Sequence, residues 1–180
     1  MNTYFNENSL VYHNGQFIKA KDTSTDLYSQ SLHYGNGVFE GIRAYKTKFG
    51  TKIYKAEAHY LRLKKGADVM GIPFYYSIEN LIEVTYELLK KNNLEDAYIR
   101  PIVTTGADMS LKTASEASLT IQCWYWGKYM GDKLLKVKTS PFQRPNPKSC
   151  FIEAKVTGHY VNSILATNDA KNTGYDEALL

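Results

Sequence analysis

Two short apolar runs, Leu10-Val11-Tyr12 and Phe17-Ile18, flank Asn14-Gly15. An Asn-Gly pair between apolar runs is the strongest short signal for a β-hairpin, so residues 9–19 are predicted to form one. Residues 20–31 are polar and read as a loop with a short turn. In the following LHYGNGVFEGIRAYK, residues 32–46, glycines at 35, 37 and 41 exclude a plain helix interior. Val38, Ile42 and Tyr45 point instead to strand, with the glycines letting backbone approach something closely. TKIY at 51–54 reads as the returning strand of a second hairpin, with Phe49-Gly50 near its turn. A helix is predicted from Ala56 to about Met70, ended by Gly71-Ile72-Pro73.

Residues 77–93 give the clearest helix. Ser77 suits its N-cap, Ile78, Leu81, Ile82, Thr85, Leu88 and Leu89 make one face, and Lys90 and Lys91 sit at the negative end of the dipole. DAYIRPIVTTG then alternates as a strand, with Ala97, Ile99 and Val103 on one face and Tyr98 and Arg100 on the other. Pro101 lacks the N–H a central strand needs, so an edge or a bulge is expected there. Residues 106–117 read as a loop, 118–127 and 134–142 as strands, and QRPNPKSC at 143–150 as a Pro-rich connector between domains. The stretch from Glu153 to Tyr175 reads as a strand end, a tight turn at Thr157-Gly158, and a helix closed by Gly174. YDEALL at 175–180 begins another strand. The order is that of an α+β domain followed by the opening of a second domain.

Composition narrows the function classes without choosing one. With 43% apolar and 22% charged residues, the 180-residue chain is an ordinary globular protein with enough length for a sizeable core. The net charge of +4 comes from dispersed lysines, so no nucleic-acid partner is implied. Fifteen tyrosines suit the lining of a polar ligand pocket, though half-buried strands favour tyrosine too. Cys123 and Cys150 have no metal-like neighbours and fit buried thiols in a reducing cytoplasm. Residues 1–30 carry no signal-peptide pattern, and no apolar run is long enough to span a membrane.

Two cations stand out as candidate chemistry. Lys155 precedes a glycine-containing turn that opens a helix, where N-terminal amides can hold a phosphate or carboxylate. A desolvated lysine there becomes a nucleophile for carbonyls, while the plain alternative is a solvated lysine. Arg62 lies mid-helix in AHYLRLKKGAD, where a solvated face residue is the plain alternative. The G-x-G-x-x-x-G spacing of residues 35–41 does not match the dinucleotide fingerprint.

At LHYGNGVFEGIRAY, NNLEDAYIRP, WGKYMG and EAKVTGHYVNS the chain resembles the branched-chain amino acid aminotransferases, pyridoxal-phosphate enzymes of fold type IV. Four motifs in register cover nearly the whole chain. FEGIRAY favours this branch over the related D-amino acid aminotransferases and aminodeoxychorismate lyases, which remain the enzyme alternatives. The resemblance implies a two-domain architecture: a small α+β domain at 1–142, the connector at 143–150, and at 151–180 only the start of a large cofactor-binding domain.

Lys155 matches the lysine that joins covalently to the aldehyde of pyridoxal 5′-phosphate. Arg62 matches an arginine on the cofactor phosphate, and Tyr160 a tyrosine on its 3′-oxygen. Tyr34, Phe39, Gly41, Tyr98, Arg100 and Tyr129 match positions around a pocket for amino acids and 2-oxo acids. The loop near Met109–Leu111 matches one that reaches a partner subunit's site, so a homo-oligomer, dimer or higher, is implied. The implied reaction moves an amino group between leucine, isoleucine or valine and 2-oxoglutarate. The family's glutamate on the pyridine nitrogen, and loops holding the phosphate and the substrate carboxylate, are expected beyond Leu180. A fragment acting only as a fold or dimerisation module is therefore the non-enzyme alternative.

Overall fold

The computed structural model describes residues 4–127 and 131–180. The first hairpin forms as expected, β1 (Leu10–His13) and β2 (Gln16–Lys19), with Asn14 and Gly15 both at positive φ. The stretch that follows contains α1 (Gln30–Tyr34), a five-residue helix the sequence pattern did not reveal. Its N-terminus is capped by the Ser29 hydroxyl, and it ends at Gly35 in the left-handed region, φ 64°. Next come β3 (Gly37–Phe39), β4 (Ile42–Thr47) and β5 (Gly50–Ile53), then α2 (Ala56–Val69) and α3 (Ile78–Lys91). The Ser77 hydroxyl accepts from the Asn80 amide at the start of α3. The long strands β6 (Ala97–Thr105) and β7 (Ala117–Trp124) follow.

These strands make a seven-stranded sheet in the order β2-β1-β7-β6-β4-β5, with β3 also paired to β6. α2 and α3 cover one face. Tyr60, Leu63 and Ala67 of α2 and Leu81, Leu88 and Leu89 of α3 are buried with Ile42, Ala97, Ile99, Val103, Leu119 and Ile121 of the strands. The Tyr60 hydroxyl bonds to Thr85 Oγ1, which itself donates to the Leu81 carbonyl, tying the two helices together. The alternation along β6 sends its odd residues under the helices. Its even residues, Tyr98 and Arg100 among them, stand on the opposite face, as expected for a period of two.

β6 is central, not an edge. Pro101 is accommodated because the neighbouring strand is interrupted opposite it. β3 pairs with 102–104 and β4 with 97–99, and between them the Glu40 amide donates to the Pro101 carbonyl.

The strand expected over 134–142 is shorter, β8 (Val137–Thr139), and lies parallel to β9 (Glu177–Leu179) in a separate two-stranded sheet. That sheet joins residues from either side of the 143–150 connector. Between them lie a 3-10 turn at Thr157–His159 and α4 (Tyr160–Asn172). Glu153 and Ala154, expected in a strand end, lie in a turn and a bend. On α4 the buried residues are Ala166 and Ala170, whereas Val161, Ile164 and Leu165 are exposed. Among the described residues no helix is long and apolar enough to cross a membrane.

Candidate functional site

The segment carrying Lys155 is held by β3 and by the turn before it. The Phe39 amide donates to the Lys155 carbonyl at 3.0 Å, and Val156, almost fully buried, forms a bridge with Val38. One turn further, the Gly158 amide and the Thr157 hydroxyl both donate to the Gly35 carbonyl, at 3.1 and 2.6 Å. This contact needs glycine at 35. The φ of 64° disfavours other residues, and a Cβ there would sit 2.5 Å from Gly158 Cα. The lysine backbone is thus fixed by strand residues about 120 positions earlier in the chain.

From that anchor the Lys155 amine reaches over two aromatic rings. Nζ donates to the Tyr160 hydroxyl at 2.8 Å and stands 5.4 Å from the Phe39 ring centre and 5.3 Å from that of Tyr160. The two rings meet edge to face at 4.7 Å. The Arg100 guanidinium also lies over Phe39, 4.5 Å from its centre, and Nη2 donates to the Tyr98 hydroxyl at 2.8 Å. Among the described residues Arg100 Nε is buried with no partner, a donor available to an acceptor that enters the site. Tyr98 in turn packs on Trp124 and Trp126, 5.0 and 5.2 Å between ring centres. Gly41 admits the phenol, since a Cβ at 41 would lie 2.2 Å from the Tyr98 hydroxyl.

A second group of charges adjoins the first. The Glu40 carboxylate, its side chain 1% exposed, accepts from Arg62 Nε at 2.5 Å and Nη2 at 2.7 Å, and from His59 Nδ1 at 2.8 Å. Burial works to raise its pKa, but the hydrogen bonds from Arg62 and His59 prevail and hold it below the ordinary value. The same bond to Glu40 raises Arg62, and the Tyr160 phenol is near enough to act on that guanidinium. Half of the Arg62 side chain remains exposed, on a cleft of about 480 Å³ lined also by Gly66, Cys150, Phe151 and Ala154. The cluster offers an amine beside a phenol, two guanidinium groups near it, and apolar ring faces.

Of the residues singled out in the sequence, Lys155, Tyr160, Phe39, Arg100, Tyr98 and Gly41 come together, with Arg62 alongside. Tyr34 does not join them. Its hydroxyl donates to the Met109 carbonyl, and its ring lines another cleft of about 480 Å³ with Leu111, Gly158 and His159. Tyr129 lies outside the described residues. Met109 and Leu111 are on an exposed loop, Leu111 90% exposed, tied back by Gln30, whose amide donates to the Ser110 and Lys112 carbonyls and accepts from the Ala114 amide. Sequence reasoning missed Glu40, His59 and Gln30. A charged residue inside a glycine-rich strand segment was the available signal for Glu40, but its partners lie 19 and 22 residues away.

The family profile described as amino-transferase class IV matches residues 37–180. The branched-chain-amino-acid aminotransferase of Pseudomonas aeruginosa is 39% identical over 177 residues, covering 95% of this chain and 58% of that protein. The branched-chain aminotransferase of Thermoproteus uzoniensis, solved with norvaline, superposes with a TM-score of 0.91 at 32% identity, covering 95% of this chain and 59% of the other. The T.th. branched-chain amino acid aminotransferase, complexed with N-(5′-phosphopyridoxyl)-L-glutamate, gives 0.89 at 35% identity, covering 97% and 59%. The chain therefore spans somewhat under three fifths of the length of these relatives.

Proposed function

The chain belongs to the class IV aminotransferases, and from that premise we propose that it serves a pyridoxal-phosphate-dependent transaminase moving amino groups between branched-chain L-amino acids and 2-oxoglutarate. The observation that carries the reading is the Lys155 amine, bonded to Tyr160 and standing over Phe39, with Arg100 over the same ring. The relatives' names and the phosphopyridoxyl complex of the T.th. protein support the substrate class and the cofactor.

The residues present fit pyridoxal 5′-phosphate. Lys155 Nζ meets a phenol and ring faces, the surroundings in which an amine can act on an aldehyde. Arg62 opens on a cleft with half its side chain exposed, and with Nε and Nη2 on Glu40 it would meet a phosphate through its Nη1 end. When bound, the cofactor supplies the electron sink for cleavage of the substrate's α C–H bond. The rest falls to this chain. Lys155 would hold the cofactor, and its Nζ would carry the substrate's α-proton. Tyr160, bonded to that amine, would orient it and donate to the ring oxygen of the cofactor. Arg62 would bind the phosphate. Arg100 and Tyr98 receive a side-chain carboxylate, while the faces of Phe39 and Tyr98 exclude water and pack on aliphatic carbon. Gly41 completes the pocket wall in this reading, while Tyr34 lines a separate cleft.

We further propose that Met109–Leu111 contacts a second copy of the chain, that the setting is a reducing cytoplasm, in keeping with the free thiols of Cys123 and Cys150, and that the second domain begins before Val137, given the pairing of β8 with β9. The test is chemical. Borohydride reduction of the cofactor-loaded protein followed by peptide mapping should put the pyridoxyl group on Lys155, and Lys155→Ala should abolish turnover. A label on another lysine, or a donor panel in which D-amino acids outrun leucine, would overturn the reading.

A further inference from the structure

The proposed chemistry makes no use of Glu40, yet its carboxylate is among the most enclosed polar groups of the protein. Burying a carboxylate is costly unless donors surround it. Here Arg62 Nε takes Oε1, while Arg62 Nη2 and His59 Nδ1 share Oε2. His59 and Arg62 stand three residues apart on one face of α2, whose Tyr60 and Leu63 are locked in the core. Glu40 itself occupies the break between β3 and β4, pinned by its amide to Pro101. The preceding residue, Phe39, holds the Lys155 carbonyl. Two consecutive residues therefore grip the two cations of the site, one through its backbone and the other through its side chain.

We propose that Glu40, braced by His59, is a positioning residue that aims the Arg62 guanidinium at the cofactor phosphate and sets its separation from Lys155. The proposal rests on the reading of Arg62 as the phosphate ligand. An arginine with half its side chain in water samples many rotamers, and fixing it beforehand removes that entropy from binding. The negative charge of Glu40 does not cancel the gain, because three donors at 2.5–2.8 Å already meet it.

The experiment compares the affinity of the full chain for pyridoxal 5′-phosphate and for pyridoxal, which lacks the phosphate, by fluorescence titration. Glu40→Gln keeps the shape and loses the charge. It should weaken pyridoxal 5′-phosphate roughly three- to tenfold, the worth of one immobilised side chain, and leave pyridoxal within about twofold. Glu40→Asp carries the same comparison if Glu40→Gln does not fold. The double variant Glu40→Gln/Arg62→Met should bind no more weakly than Arg62→Met, since Glu40 acts only through Arg62. Equal losses for both ligands, tighter phosphate binding, or an additive double variant would overturn the proposal. If Arg62→Met weakens pyridoxal 5′-phosphate and Glu40→Gln does not, the positioning role fails and the reading of Arg62 stands. If Arg62→Met leaves the two ligands in their original ratio, that reading fails as well.

Discussion

Gly41→Ala is a small perturbation with a large expected effect. The added methyl would lie 2.2 Å from the Tyr98 hydroxyl and 3.0 Å from the ring carbon that bears it. Ordinary contact needs more than an ångström of further separation at the hydroxyl. The phenol cannot swing aside cheaply, because its ring packs on Trp124 and Trp126 and its oxygen receives Arg100. Overpacking of this kind costs about 1–3 kcal/mol, which for a chain of this size lowers the melting temperature by roughly 2–12 °C. Loss of the Arg100–Tyr98 bond belongs to the same displacement. Trp124 and Trp126 are the chain's two tryptophans, so their emission reports the movement directly. Tyr98→Phe supplies the control. With the hydroxyl gone, the nearest atom is the ring carbon at 3.0 Å, a clash that a few tenths of an ångström relieves. Gly41→Ala should therefore cost much less in the Tyr98→Phe background. An equal cost in both backgrounds, or unchanged emission and melting in the single variant, would refute the steric argument.

Arg100→Met should raise KM for glutamate and 2-oxoglutarate about ten- to hundredfold, the worth of one charge-assisted bond, and that for leucine much less, as read by steady-state kinetics. Equal losses would make Arg100 structural. Gln30→Ala strips partners from the Ser110 and Lys112 carbonyls and the Ala114 amide, and should cost about 2–4 kcal/mol in chemical denaturation. Limited proteolysis should then cut between residues 109 and 114 in the variant sooner than in the wild type. Glu40, with a folded pKa below its ordinary 4.5, contributes stability that is complete above that value and is lost as pH falls through the lower, folded one. Melting temperatures of the wild type and Glu40→Gln should accordingly converge on acidification below pH 4.5, and a gap independent of pH would contradict the pairing.

The elements legible in the sequence are those decided by neighbours along the chain. Asn14-Gly15 dictates a hairpin locally, and Ser77 with its apolar face dictates α3, so both stand where the pattern puts them. α1 escaped notice because a single capped turn ended by a glycine has no periodicity to show. Pro101 pointed to an edge or a bulge because its missing donor is a local fact, while the break between β3 and β4 that tolerates it in a central strand is not. The same division runs through the candidate site. The alternation of β6 put Tyr98 and Arg100 on one face in advance. Lys155 stood out by its turn, but the hold of β3 on its backbone and the grip of Glu40 on Arg62 are long-range contacts with no short-range signature.

The alternation of β6 also separates two kinds of change that an evolving protein can undergo. Ala97, Ile99 and Val103 face the helices, and Tyr98 and Arg100 face the site. Substitution at the even positions would alter what the proposed pocket can hold and leave the packing under the helices intact. Substitution at the odd positions would do the reverse. Inserting or deleting one residue in this strand would exchange the two sets at a stroke, putting an arginine into the core and an isoleucine at the pocket. Under the proposed function, new preferences for a substrate side chain would be open to single substitutions here, and closed to changes of length.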